Sequence, residues 1–147
     1  MPPTLYHAPM SCSTVCRMAA ALYDVELRLE LTDFKPKEIG SGGTLFDVHP
    51  LGTFSALSHP QEGLLVEPAN VLLWIQAQAA PELLKPPWAV LRWLSFCATE
   101  LHKALLWPVV NGAAPITAHA ERRLGYLESV VQENLLEDQS AADAYLT

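Results

Sequence analysis

Along the first part of the chain the period of the apolar positions changes twice. Leu5-Tyr6 is a short apolar run closed by Pro9. Val15, Met18, Ala19 and Leu22 then recur at i, i+3, i+4 and i+7, the spacing of one helix face. Val25, Leu27, Leu29 and Leu31 take every second position, the signature of a half-buried strand. Strand, helix, strand over residues 5–31 predicts a βαβ unit with parallel strands and a right-handed crossover. Residues 32–50 hold Pro36, Gly40, Gly42 and Gly43 and read as a loop with room for a short helix. Thr53–Leu57 and Gly63–Val66 flank His59-Pro60-Gln61-Glu62, which predicts an antiparallel hairpin. Pro68 suits the first position of a helix running to about Ala79 and stopping before Pro81.

The expected order over residues 1–80 is therefore βαβ-ββα, a small α/β domain. Pro81, Pro86 and Pro87 mark a linker over 81–87, and residues 88–147 read as helical throughout. Val90, Leu94, Cys97, Leu101 and Leu105 form a core stripe on a long helix ended by Pro108. A second helix begins near Pro115 and carries Leu124, Leu127 and Val131. Ser140-Ala141-Ala142-Asp143 has the form of a helix-starting cap.

Composition narrows the function. Half of the 147 residues are hydrophobic and 17% are charged, as in a globular protein. The net charge of −7, with nine scattered basic residues, argues against nucleic acid. Arg92 interrupts the longest apolar run, so no membrane span is predicted. Met1-Pro2-Pro3-Thr4 lacks a basic and apolar leader, which makes a cytoplasmic location the default expectation. Three cysteines are odd in number and too few for a disulfide framework. Zinc-ligand spacing, phosphate loops and a serine-hydrolase elbow are not found, so no metal is expected.

Chemistry gathers at Ser11-Cys12-Ser13, where the first helix begins. Unpaired N–H groups at a helix N-terminus favour negative charge and lower the pKa of a cysteine placed there. Cys12 is the first candidate, against the reading of a small buried hydrophobe. Cys16 and Cys97 fall on apolar stripes and read as core. Trp74, Trp88, Trp93 and Trp107 read as packing or interface residues. Ser95, Thr99 and His102 make a polar strip on the long helix, with Lys103 turned about 100° away.

A βαβ-ββα domain, a proline linker and a helical domain resemble the glutathione S-transferase superfamily, whose first half is thioredoxin-like. Leu5-Tyr6, Pro9 and Cys12-Ser13 resemble the opening of its bacterial beta class, where a cysteine in this position contacts the glutathione sulfur and can form a mixed disulfide with it. Ser11-Cys12-Ser13 with Arg17 is also similar to the zeta-class isomerases, although Met10 stands where those have a serine. Trp93 to Lys103 looks beta-class, and the histidine and lysine of its Glu-Leu-His-Lys run face the active site there. Ser140 to Leu146 is similar to the family's structural cap. The resemblance implies Cys12, Ser11 and His102 as catalytic residues. It implies Phe54, Ser55, Glu67, Ser13 and Lys103 as glutathione-binding residues, with glutathione as cosubstrate, a small electrophile as second substrate and a homodimer.

Three departures accompany the resemblance. The family's Val-Pro-Ala-Leu run carries a cis proline, and here it reads Phe54-Ser55-Ala56-Leu57. A cis bond before a non-proline residue costs about 2.5–4 kcal/mol, so Ser55 is expected trans. The Glu-Ser or Glu-Gly pair that binds the γ-glutamyl end is Glu67-Pro68, and proline has no N–H to donate. Helices that follow the cap in the family do not follow it here, which would leave apolar surface for a partner copy. The implied activity is transfer or exchange of the glutathione thiol with an electrophile or disulfide. The alternatives are a non-catalytic binding or scaffold protein of the same fold, and a glutathione-dependent isomerase or dehydratase.

Overall fold

A computed structural model describes residues 1–79, 87–112 and 118–137. The chain divides into two units, Met1–Pro87 and Trp88–Thr147. In the first, β1 (Thr4–His7), β2 (Arg28–Leu31), β3 (Ala56–His59) and β4 (Gly63–Leu65) form one sheet in the order β2-β1-β3-β4. β2 runs parallel to β1, pairing Leu31 with His7. β3 and β4 are antiparallel additions, pairing Tyr6 with Ala56 and Leu57 with Leu65. β1 is central and its Leu5 is fully buried. Helices α1 (Ser13–Leu22) and α3 (Pro68–Gln78) pack together, and their core with the sheet is Leu5, Cys16, Ala20, Leu57, Val71 and Ile75.

The helix α1 exists where the periodicity places it, but its buried face is different. Ser13, Cys16 and Ala20 face inward, while Val15, Met18 and Leu22 are exposed. Small side chains let α1 lie close to β1 and α3, so the bulkier stripe is turned outward. The expected strand from Val25 is laddered only from Arg28. Val25 and Leu27 pack against the core without pairing, and the edge positions Leu29 and Leu31 are exposed.

The loop of residues 32–50 contains the short helix α2 (Leu45–Val48). Its start is held by the backbone N–H of Thr44 donating to the Asp47 carboxylate at 2.7 Å. That bond and one from the Thr44 hydroxyl hold the Asp47 carboxyl below its ordinary pKa. β3 begins three residues later than expected and ends in the predicted turn. Ser55 has a left-handed φ of 65°, which cannot continue a strand, so pairing starts at Ala56. His59 closes the turn by accepting the N–H groups of Gln61 and Glu62 on Nδ1. α3 starts with Pro68 in its first turn, as predicted.

In the second unit α4 (Pro87–Phe96) continues as a widely wound π-helical segment, Cys97–Leu106, and returns to α5 (Trp107–Val110). Pro108 does not end this helix, contrary to the sequence expectation. The widened turns precede it and relieve the crowding that its ring would impose on the preceding turn. α6 (Ala118–Glu137) follows. The stripe residues Val90, Leu94, Leu101 and Leu105 are half-buried, but Cys97 is exposed rather than core. Phe96 packs on Trp93 and Tyr126 with ring centroids 6.0 and 5.5 Å apart. Glu100 is paired with Arg123 of α6. Ser140 to Leu146, residues 81–86 of the expected linker and the expected helix start at Pro115 lie outside the described residues, while Pro87, the last residue of that linker, already begins α4. Among the described residues no helix is long and apolar enough to cross a membrane.

Candidate functional site

Sheet topology brings four chain segments to one end of the first unit. β1 ends at His7, and the loop after it leads to Cys12 and α1. Because β3 is antiparallel to β1 with Tyr6 opposite Ala56, Phe54 and Ser55 enter the sheet beside that same end. β4 leaves there too, carrying the chain to Glu67. β2 is parallel to β1, so its C-terminal end delivers the loop with Phe34 and Lys37.

Cys12 is the N-cap residue of α1 and is exposed. The two residues flanking it point the other way. Ser11 and Ser13 are buried, and their hydroxyls lie 2.6 Å apart. Ser11 donates to the Ala8 carbonyl at 2.7 Å, and Ser13 contacts His7 Nδ1 at 2.9 Å. The expected serine hydroxyls are therefore next to Cys12 in sequence but turned into the protein. His7 is buried, and desolvation first, then the nearby Arg17 charge, hold its pKa below the ordinary value.

Cys16 lies one turn further along α1, fully buried, with its thiol 3.6 Å from the Ser55 hydroxyl. Burial pushes that thiol up to about 11, so it stays protonated. Cys12 is left as the accessible thiol at this end. Ser55 is itself fully buried, and the peptide bonds of the described residues are trans, as expected for a serine here. Glu67 is exposed and has φ 73° and ψ 134°, a strained backbone for a residue with a side chain.

Two residues here escape sequence reasoning. His7 carries no motif, only a place on a strand. Lys37 lies in a proline- and glycine-rich loop, yet its ammonium stands 3.9 Å over the Phe54 ring and 5.2 Å over Phe34. Those rings stack with centroids 5.6 Å apart and 9° between planes. Desolvation there lowers the Lys37 pKa. A cation held over the Phe54 ring is a ready partner for a carboxylate. Strand pairing therefore brings the segments that carry Cys12, Phe54, Glu67 and Lys37 to one end of the sheet.

His102 and Lys103 lie in the second unit and are exposed, with His102 tilted against Trp107 at 6.4 Å. Thr99 of the polar strip spends its hydroxyl on the Ser95 carbonyl at 2.9 Å. Among the described residues no His, Cys, Asp and Glu cluster could hold a metal ion.

No protein-family profile matches the chain. It is 28% identical to the glutathione S-transferase GstA of Escherichia coli O157:H7, over 97% of this chain and 78% of that protein. A glutathione transferase structure from Methylococcus capsulatus superposes with TM-score 0.76 at 27% identity, covering 89% of this chain and 70% of that one. The bacterial transferase BphK, solved as a ternary complex, shares the fold with TM-score 0.79 at 23% identity, over 88% and 70% of the two chains. The thioredoxin-like sheet and the helical second unit are the fold of these glutathione S-transferases, which the chain resembles in sequence as well.

Proposed function

We propose that this chain binds glutathione at the Cys12 end of the sheet and moves its thiol to a small electrophile or disulfide. The observation that carries this reading is the convergence of exposed Cys12, the Phe54 backbone and the Glu67 carboxylate where β1 and β4 end and β3 begins. In the proposal Glu67 takes the α-ammonium, the Phe54-Ser55 backbone takes the cysteinyl amide, and Lys37 takes a carboxylate. Cys12 contacts the sulfur, with Ser11 and Ser13 bracing it from behind. The family resemblance alone gives His102 and Lys103, in the second unit, the roles of base and cation. In transfer, the glutathione thiolate displaces a leaving group. In exchange, a thiolate attacks a disulfide sulfur and the other sulfur departs as thiolate. Two copies pair, covering exposed apolar residues such as Trp88 and Val110.

A second reading, binding without catalysis, draws on one feature: Ser55 holds a left-handed conformation where the family's proline presents the peptide-reading backbone. Thermal unfolding with glutathione separates the outcomes. A ligand at a hundred times its Kd adds about 2.7 kcal/mol, a rise of roughly 5–10 °C. A shift together with turnover that Cys12→Ala abolishes supports transfer. A shift without turnover on electrophiles or disulfides selects the binding module, and no shift refutes both.

A further inference from the structure

The loop that presents Cys12 contains a closed set of hydrogen bonds whose proton directions can be assigned. The Ala8 carbonyl has no proton, so the 2.7 Å bond consumes the single proton of the Ser11 hydroxyl. The 2.6 Å contact between hydroxyls is then Ser13 donating to Ser11. Ser13 has no second proton, so its oxygen accepts the Ala8 N–H at 3.3 Å, and the 2.9 Å contact requires a proton on His7 Nδ1. His7 is thereby fixed as the Nδ1–H tautomer. The Ser13 N–H donates to Ser11 Oγ at 3.2 Å, and the Ser11 N–H to the Ala8 carbonyl at 3.2 Å.

We propose that His7 is a positioning residue for Cys12, acting through Ser13 and Ser11 to pin the loop and turn the thiol outward. Both neighbours of Cys12 are drawn inward by this chain, which leaves Cys12 facing solvent at the start of α1. Met10, in the same loop, has a left-handed φ of 63°. A non-glycine residue stays there only when its surroundings over-determine it, and the hydrogen-bonded loop does so. His7 stands on β1, an interior strand, so it ties the reactive loop to the sheet. Burial first, and then the charge of Arg17 on α1, hold the pKa of the ring below its ordinary value.

This inference rests on Cys12 being the reacting thiol, and its test uses no glutathione, so it can fail separately from the proposed activity. Cys97→Ser removes the other exposed thiol, while Cys16 stays buried. On that background, Cys12 alkylation by iodoacetamide is followed from neutral to alkaline pH for the parent, His7→Asn, His7→Phe and Ser13→Ala. The asparagine amide can replace the Nδ1–H donor, so its pH profile should overlay that of the parent. His7→Phe and Ser13→Ala should displace the profile and slow the neutral-pH rate about tenfold, well within the cost of misplacing a reacting group by 1 Å. Long-range proton–nitrogen correlation spectra should show His7 protonated on Nδ1 and bare on Nε2. The inference is overturned if His7→Phe or Ser13→Ala reacts like the parent, if His7→Asn fails with them, or if the proton is on Nε2. Should His7→Phe not fold, Ser13→Ala and the spectrum decide the question.

Discussion

Ser55 offers the sharpest test of how this sheet end is built. Its φ of 65° lies in the left-handed region, its side chain is fully buried, and its hydroxyl receives the Cys16 thiol at 3.6 Å. Ser55→Pro would bring the residue common to the family into a backbone that cannot hold it. The proline ring fixes φ at about −65°, so the bond would have to rotate by about 130°. Proline at an incompatible position costs about 3 kcal/mol or more. For a chain of this size that lowers the melting midpoint by roughly 10 °C. Ser55→Gly is the control, since glycine takes positive φ freely. Relief of about 1–2 kcal/mol of left-handed strain is offset by about 0.5–1 kcal/mol of added chain entropy and by lost packing. Its midpoint should therefore stay near that of the parent. The assay is reversible thermal and denaturant unfolding followed by circular dichroism. The reasoning fails if Ser55→Pro is as stable as the parent, because position 55 would then not be held left-handed.

Three further outcomes follow from the described geometry. In the native state, iodoacetamide at neutral pH should modify Cys12 and Cys97 but spare Cys16, whose buried thiol is pushed up to about 11; peptide mass spectrometry reads this directly. The His7 contribution to stability should be complete above its ordinary value of 6.5 and be lost as pH falls from there through the lowered folded value, because the unfolded chain binds the proton more readily. Denaturant melts across that acid window should show a shallower pH slope for His7→Asn. Gly52→Ala should destabilise by about 1–2 kcal/mol; at φ 53° its Cβ would meet the Phe46 ring at 2.7 Å, and chemical denaturation measures the loss.

The order of elements was readable from periodicity and punctuation. Alternation marks β2, proline marks the first turn of α3, and the Ser-Cys-Ser run falls where α1 begins. These are local signals, set by backbone sterics and by the spacing of apolar side chains. Which face of α1 is buried was not local: the bulky stripe of Val15, Met18 and Leu22 is outward, because close packing on β1 and α3 selects Ser13, Cys16 and Ala20. The passage of the helix through Pro108 likewise depends on widened winding in the preceding turns, which no single-residue propensity encodes. Cys12 could be picked out from the sequence as the candidate thiol, since its neighbours in the chain define the helix start. His7, Lys37 and the stacking of Phe34 on Phe54 could not, since what defines them is a partner far along the chain or across the sheet. Sequence fixes what lies next to what along the chain; only strand pairing decides which chain ends meet around Cys12.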